Sequence, residues 1–408
     1  MNKIFFFFLI FLPVLSHAQC FQEPAINISL ELTLKIPCSS FPKTLLVNSL
    51  KLVSTSDINL FPEDFLRIDS LRSLTVTGTK EKSISVIVRG KITFPENFNA
   101  FSVSSYISNV SFKSSDLVTK LPMNLTINFQ DKIFDQLKDL NLDFVNLYSG
   151  KNVIEKISYQ NANTNLSIIG ATALKSVRLD VKSLNISSSG LTDIEDSKLL
   201  TQGNLSLSHV RLLKTNEISL IGSLNLAYFE ALENPHFLPT TKMTKLYLSK
   251  SRLQFDCSDC FLELKEILAS YSEIGKLQLP QALPQLTRLS LNHVSGGPEH
   301  FPLMPELVVM VINDVDLSGV TGELQVNGKV TLINLNETKL TNLVINFNGA
   351  EKLSALYLLG NKLDDVEVIK NEEAKPLPIY FSMYVNSKKL AKKLRHDLDR
   401  VAVVSVDW

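Results

Sequence analysis

The chain has 408 residues, 45% of them hydrophobic, and its 41 basic residues balance 41 acidic ones. The length allows two or three domains. The balanced charge excludes a global field for nucleic acid or a membrane surface, so no nucleic-acid partner is expected.

Residues 1–18 have the pattern of a secretory signal peptide. Lys3 supplies a positive start, residues 4–15 form an almost unbroken apolar run, and residues 16–18 provide a small-x-small cleavage site. The run is shorter than the roughly 20 apolar residues that span a bilayer, and no later segment reaches that length. A secreted, extracellular chain without an integral membrane span is expected.

A leucine pattern recurs along most of the remaining chain. Near the end, Leu353, Leu356 and Leu358 form the arrangement L-x-x-L-x-L. The first aliphatic of each candidate strand lies 22, 21, 22, 21, 22 and 24 residues after the previous one, which is the period of a stacked solenoid. These positions are Leu224, Leu246, Ile267, Leu289, Met310, Leu332 and Leu356.

The earlier part of the chain follows the same rule less regularly. Leu50 recurs as Leu74, and Phe101 recurs as Leu125, each 24 residues later. Between residues 128 and 205 several pairs compete for the register, and the sequence leaves it open. They are Leu140/Leu142, Ile157/Tyr159, Leu166/Ile168, Val177/Leu179, Leu184/Ile186 and Leu205/Leu207.

These repeats resemble the leucine-rich repeat superfamily, of the extracellular kind, over about residues 45–370. The resemblance implies an α/β solenoid, a leucine-rich repeat horseshoe with a parallel β-sheet on its concave face. The implied organisation is a signal peptide (1–18), an N-terminal cap (19–44), the solenoid (45–370) and a C-terminal cap with a short basic helix (371–408).

The chain departs from the family at one buried position of the repeat. The family's Asn survives clearly only at Asn361, while the equivalent positions hold Thr79, Ser251, Val294 and Val315. Since valine cannot bond to turn backbone, irregular coils are expected there.

The secretory route favours disulfides between Cys20, Cys38, Cys257 and Cys260. About nine coils of roughly 5 Å separate Cys38 from Cys257, and that distance far exceeds the ~7 Å limit between bridged Cα atoms. The expected pairs are therefore Cys20–Cys38 and Cys257–Cys260. For the second pair an intermolecular bond, a redox pair and half a zinc site remain alternatives.

Seven N-x-S/T sequons make a glycoprotein the expectation, although about five such matches would arise by chance. They are Asn27, Asn109, Asn124, Asn165, Asn185, Asn204 and Asn336. Asn124, Asn165 and Asn204 each precede a candidate strand and Asn185 stands inside one, so sugar is expected on the concave middle, leaving the later coils free for a partner.

Outward residues of the later strands form the candidate binding surface for a protein, with a glycan as the alternative. The alternative is an ordinary sheet surface, on which such residues are common. The residues chosen are Lys245, Tyr247, Arg288, Ser290, Asn292 and Tyr357.

The segment from Asn386 to Arg400 predicts one amphipathic helix. Leu390, Leu394 and Leu398 recur every four residues, and Ser387 or Asn386 can cap its start. Its basic face is either a site for anionic glycans or lipid headgroups, or simply the solvated side of a cover over the last coil.

Enzyme signatures are absent from the sequence, and its histidines form no spaced ligand cluster. Neither an enzyme nor a cofactor or metal is expected. The sequence predicts a secreted leucine-rich repeat glycoprotein that binds a partner through its concave surface, as in innate immune recognition or cell-surface signalling. The alternatives are a structural or adhesive matrix protein and a carbohydrate-active enzyme on a parallel β-helix.

Overall fold

The structure is a computed structural model whose description covers most of the chain beyond residue 26. The described residues are 27–30, 32–33, 48–54, 57–65, 70–78, 84–103, 107–128, 133–148, 155–171, 174–194, 196–201, 203–212, 217–220, 226–230, 233–237, 243–255, 261–274, 279–371, 377–378, 380–398 and 402–405. The predicted signal peptide, all four cysteines, Thr79 and Leu224 lie outside them.

The chain forms two compact units, residues 1–150 and 151–408. Besides two short 3-10 helices, Pro62–Phe65 and Ser114–Asp116, the first contains twelve strands and one α-helix among its described residues. They are β1 (Asn27–Leu30), β2 (Leu32–Thr33), β3 (Ser49–Ser54), β4 (Ile58–Leu60), β5 (Ser73–Gly78), β6 (Ile84–Val88), β7 (Ile92–Thr93), β8 (Ala100–Val103), β9 (Ile107–Ser111), β10 (Leu117–Val118), β11 (Met123–Asn128), α1 (Ile133–Leu137) and β12 (Leu142–Tyr148).

The first unit is a parallel β-solenoid. Strands β3, β5, β8, β11 and β12 pair in parallel, and β1 adds to the first of them in antiparallel orientation. Leu50 lies opposite Leu74, and Phe101 lies opposite both Leu74 and Leu125, which confirms the two predicted pairs and joins them. Strands β4, β6 and β9 form a separate parallel sheet.

The second unit repeats this arrangement over more coils. Its elements are β13 (Lys156–Ile169), β14 (Ser176–Ile194), β15 (Asp196–Thr201), β16 (Asn204–Leu212), β17 (Glu217–Leu220), β18 (Leu226–Glu230), β19 (Glu233–Phe237), β20 (Lys245–Ser249), β21 (Arg252–Phe255), β22 (Glu266–Ser270), β23 (Arg288–Val294), β24 (Val309–Val315), β25 (Glu323–Gln325), β26 (Leu332–Asn334), β27 (Asn342–Asn346), β28 (Ala355–Tyr357), β29 (Asp365–Ile369), β30 (Ser382–Val385), α2 (Lys388–Asp397) and β31 (Ala402–Ser405).

A main parallel sheet runs through the second unit. Its order is β13, β14, β16, β18, β20, β22, β23, β24, β26, β28, β30 and β31. In β20 and β22 the residues alternate between buried and half-buried, because successive side chains of a strand point to opposite faces. Leu246, Ile267, Leu289, Met310 and Leu356 are each at most 2% exposed, so the predicted inward positions form the core.

The solenoid predicted from the repeat is thus confirmed, with little helix. The described residues outside the main sheet form further strands and turns, among them a second parallel sheet of β25, β27 and β29. The more specific α/β horseshoe is not established by this arrangement and stays a prediction.

Two of the predicted register positions are wrong. Ile333, not Leu332, lies opposite Met310 and Leu356, and Leu332 is half-buried beside Val309. Ala227 takes the place opposite Leu246 that the sequence assigned to Leu224. Both errors arise where consecutive apolar residues obscure the two-residue alternation, so that a one-residue slip exchanges the two faces.

Five of the six pairs that competed between residues 128 and 205 occupy two ladders of the same coils; Leu140/Leu142 lies at the start of β12 instead. Ile157 lies opposite Val177, while Leu166 lies opposite Leu184, in the same two long strands. The register of β13 shifts between Asn161 and Asn165, where the strand turns from one ladder to the next. One strand therefore carries two inward pairs, which a search for one pair per repeat cannot separate.

Candidate binding face of the main sheet

The outward side chains of the main-sheet strands β20, β22, β23, β24, β26, β28, β30 and β31 form a single face, here called the main-sheet face. Lys245, Glu266 and Arg288 occupy one row across β20, β22 and β23, and Tyr247 and Ser290 share the next row. Asn292 continues the third row beyond Ser249 and Ser270.

The structure brings five of the six predicted residues together. Lys245, Tyr247, Arg288, Ser290 and Asn292 lie on strands that are consecutive neighbours in the sheet. The sixth, Tyr357, shares the row of Tyr247 but lies five strands away, roughly 24 Å at the usual strand spacing.

The charged side chains on β20 and β22 bind one another. Lys245 Nζ lies 2.7 Å from Glu266 Oε1. The Tyr247 hydroxyl donates a 2.6 Å hydrogen bond to Glu266 Oε2. Sequence reasoning left Glu266 out of the site, although this carboxylate organises two of the residues chosen.

These contacts shift the pKa values of three side chains. The hydrogen bond from Lys245, followed by that from Tyr247, lowers the pKa of Glu266. The bond to Glu266 also raises the pKa of Lys245 and the pKa of Tyr247, with burial adding to the shift at the phenol. The Glu266 contribution to stability is present above its ordinary pKa of 4.5 and is lost as pH falls through the lowered pKa. The Lys245 and Tyr247 contributions are present below 10.5 and 10.0 and are lost as pH rises through their raised pKa values.

Replacing Glu266 by glutamine is expected to move the pKa of Tyr247 back down toward its ordinary value of 10.0. A neutral amide oxygen accepts the phenol proton more weakly than a carboxylate does. An NMR titration of the Tyr247 ring measures the change. The Glu273→Gln control removes a carboxylate that pairs with Arg252 instead, and should leave Tyr247 unchanged. An unshifted Tyr247 in Glu266→Gln would contradict the assignment.

In the later half of the main-sheet face, Asp314 is the only charged residue among the described strand residues; it is exposed near the end of β24 and pairs with His293. We call the other outward residues of β24, β26, β28, β30 and β31 the uncharged face. The outward side chains described there are Val309, Val311, Asn313, Leu332, Asn334, Ala355, Tyr357, Ser382, Tyr384 and Val404.

An aromatic pair stands at the centre of the uncharged face. Tyr357 and Tyr384 are register neighbours, and their rings stack with centroids 4.6 Å apart and planes 6° apart. Val404, next in the row, is 39% exposed. Sequence reasoning missed Tyr384 because residues beyond 370 were assigned to a cap, yet Phe381, Met383 and Val385 alternate with it as a strand requires.

Helix α2 lies against the last strands of the main sheet. The N–H of Leu390 donates to Ser387 Oγ, the predicted N-cap, and Leu390 and Leu394 are buried as their spacing predicts. Arg395 donates two hydrogen bonds, of 2.9 and 2.6 Å, to the Val403 carbonyl of β31. Lys393 pairs with Asp365. Two of the basic side chains therefore hold the helix in place.

The predicted glycan acceptors fall into different environments. Asn124 on β11 and Asn204 on β16 are exposed, and the amide of Asn185 donates a 2.9 Å hydrogen bond to Ser167 Oγ. At Asn336 the Oδ1 atom accepts the Leu359 N–H at 2.8 Å, and Thr338 of the same sequon is 0% exposed. Asn165 is half-buried on β13, and Asn27 and Asn109 lie on β1 and β9.

The described residues contain neither a metal-binding cluster nor a membrane-spanning helix. They hold no group of three His, Cys, Asp or Glu side chains that could bind a metal ion. Nor does any helix among them have the length and apolar character needed to cross a membrane.

Comparison with known proteins adds little to this account. No protein-family model matches the chain, and no curated protein matches it. Among solved structures, an LRR protein of Leptospira interrogans is similar at 14% sequence identity with a TM-score of 0.32, over 83% of this chain and 91% of that one. A likeness this distant carries no argument about function.

Proposed function

We propose that the chain is a secreted leucine-rich repeat glycoprotein that binds a protein partner through the main-sheet face. The observation that carries the proposal is the uncharged face with its stacked tyrosines. Interfaces are depleted of charge at their centre and enriched in tyrosine, and the residues of this face follow that composition.

We place the centre of the proposed contact toward the end of the sheet. Because Lys245, Tyr247 and Glu266 already bind one another, their polar groups contribute less to a new contact than unpaired groups would. The core of the proposed interface is therefore Tyr357 and Tyr384, with Arg288, Ser290 and Asn292 at its rim.

Changing both tyrosines to serine is expected to weaken partner binding at least tenfold, because buried tyrosines are frequent hot spots. The test is quantitative capture of extracellular and cell-surface proteins by the purified secreted chain, followed by titration of the captured partner. Tyr380→Ser is the matched control, since this tyrosine is 68% exposed and lies just outside the strand. Equal titration curves for wild type and the double variant would remove the proposal.

Glycosylation of the earlier coils belongs to the same proposal. Asn165, Asn185 and Asn204 lie on β13, β14 and β16, which are neighbours in the main sheet. Sugar on these strands would cover the coils before β20 and leave the uncharged face open. Glycopeptide mapping tests this arrangement, and unoccupied asparagines at all three positions would refute it.

The adhesive alternative makes a different prediction. A matrix protein would associate with copies of itself, so sedimentation of the purified chain would show mass rising with concentration.

The β-helix enzyme alternative is supported by the additional parallel sheets of β4, β6 and β9 and of β25, β27 and β29. It still requires a cluster of carboxylates in one cleft, and loss of a polysaccharide substrate in an activity assay would reveal it.

A further inference from the structure

A cavity of about 430 Å³ opens on the second unit, away from the main-sheet face. Four successive coils contribute to it, through Ala282, Leu303, Val326 and Asn346 among others. We call it the lateral cavity. Its volume lies within the range of ligand sites, about 300–1,000 Å³.

The wall of the lateral cavity is neutral and has two kinds of surface. Apolar side chains, including Leu303, Met304 and Val326, form one kind, and the amides of Gln325, Asn346 and Asn348 form the other. No charged side chain is among its lining residues. Leu303 is 47% exposed, so about half of its apolar side chain is open to a ligand. Such a wall suits a neutral ligand with an apolar part.

Backbone hydrogen bonds orient two of these amides. Asn346 Oδ1 accepts the Asn348 N–H at 3.0 Å, and Asn348 Oδ1 accepts the Asn371 N–H at 2.7 Å. A backbone N–H can only bond to the amide oxygen, so the orientation of each side chain is fixed. The Nδ2 groups are then the donors left over, and a ligand carbonyl is the matching acceptor.

The extent of the cavity favours an elongated ligand. Four coils at about 4.8 Å spacing cover roughly 14 Å, the length of about four extended residues. A peptide offers carbonyl acceptors along that length and an apolar side chain for the Leu303 wall. A saccharide would lack a partner for the apolar wall, which contains no aromatic ring.

We propose that the lateral cavity binds a short, uncharged, extended peptide segment, with its carbonyls on Asn346 and Asn348 and an apolar side chain against Leu303. The site is independent of the main-sheet face. It would give the protein a second contact with a partner or a contact with a second partner.

Titration of the full chain with the capped peptide acetyl-Ser-Leu-Gly-Leu-Ser-amide, followed by saturation-transfer NMR, tests the proposal. The double variant Asn346→Asp, Asn348→Asp keeps the Oδ acceptors that hold both turns but removes the Nδ2 donors. We expect it to bind at least tenfold more weakly, and Leu303→Ser to weaken binding as well. Asn334→Asp is the matched control, because Asn334 Oδ1 also accepts a backbone N–H, that of Asn336, but lies on the main-sheet face. It should bind like wild type.

Three results would overturn the assignment. They are no peptide binding to the wild-type chain, equal binding by the double variant, and donor-dependent binding of N-acetylglucosamine in place of the peptide. The Tyr357→Ser, Tyr384→Ser chain should bind this peptide normally, so failure of the main-sheet proposal and failure of this one are distinguishable.

Discussion

Replacing Asn361 by leucine is expected to lower the free energy of unfolding of the later coils by about 3–4 kcal/mol. Asn361 Oδ1 accepts the N–H of Thr338 at 2.9 Å, the Thr338 hydroxyl at 2.9 Å and the N–H of Leu340 at 3.2 Å. Its Nδ2 donates to the carbonyls of Leu335 and Leu358. Since Thr338 is fully buried, leucine would leave the Thr338 N–H without a partner, whereas the Thr338 hydroxyl would keep the Leu335 carbonyl.

Urea unfolding and amide hydrogen exchange measure this loss. Exchange should accelerate first near residues 335–361, because a solenoid coil depends mainly on its neighbours. Asn342→Ala is the control, an exposed asparagine at the start of β27, and should change stability by less than about 0.5 kcal/mol. A loss no greater than that of the control would show that the Asn361 bonds contribute nothing.

A second substitution at Thr338 separates the hydrogen bonds from the shape of the site. Val294 and Val315 occupy the equivalent places of earlier coils and lie opposite each other, 3% and 2% exposed. The Thr338 hydroxyl also donates to the Leu335 carbonyl, and Thr338→Val removes this bond as well. The variant Asn361→Leu, Thr338→Val is therefore expected to be less stable than Asn361→Leu alone, by about 1 kcal/mol.

Replacing Leu356 by alanine is expected to reduce stability by about 3 kcal/mol, within the 2–5 kcal/mol usual for this change in a core. Leu356 is fully buried, and its register neighbours Ile333 and Met383 are also inward. No single coil can close the space left behind without shifting both neighbours.

The next residue along the strand, Tyr357, faces outward and serves as the control for this prediction. Tyr357→Ala, one residue further, should cost less than about 1 kcal/mol because its ring is on the main-sheet face. Chemical unfolding of both variants gives the difference. If Tyr357→Ala were the more destabilising of the two, the assignment of the faces would be reversed.

Much of the fold could be predicted because inward leucines leave a strong two-residue alternation within a repeat. Leu246 lies between Lys245 and Tyr247, and Leu289 lies between Arg288 and Ser290; the register of both is as predicted. Where apolar residues are consecutive, as at Leu332 and Ile333, both parities satisfy the pattern, and only packing against the adjacent coil decides.

The hydrogen bonds in the turns were harder to predict from the sequence than the core positions. No sequence pattern explained the coils with Val294 and Val315, whose strands extend to seven residues and end in backbone bonds such as that from the Leu317 N–H to the Thr338 carbonyl. Elsewhere Ser251 and Ser272 bond to nearby carbonyls instead of the missing asparagine. Several residue types can complete the hydrogen bonds of this turn, so no single sequence motif predicts it.

The candidate site was predictable as a set of outward positions but not as a set of contacts. Alternation alone placed Tyr247, Arg288 and Tyr357 on one face. The bonds that tie Tyr247 to Glu266 depend on side-chain conformations, and the lateral cavity depends on turns of four different coils. Neither the side-chain bonds nor the cavity produces a periodic pattern in a single sequence.

Oxidative cross-linking of register neighbours tests the central structural claim most directly. Ser290 lies opposite Val311 in adjacent coils, and paired strands at about 4.8 Å are within the range that a disulfide spans. The folded Ser290→Cys, Val311→Cys chain should therefore form that bond, identified by peptide mass spectrometry. Ser290→Cys with Asn334→Cys, two coils apart at roughly 9.6 Å, should not. No bond in the first chain, or equal bonding in both, would contradict the stacked register.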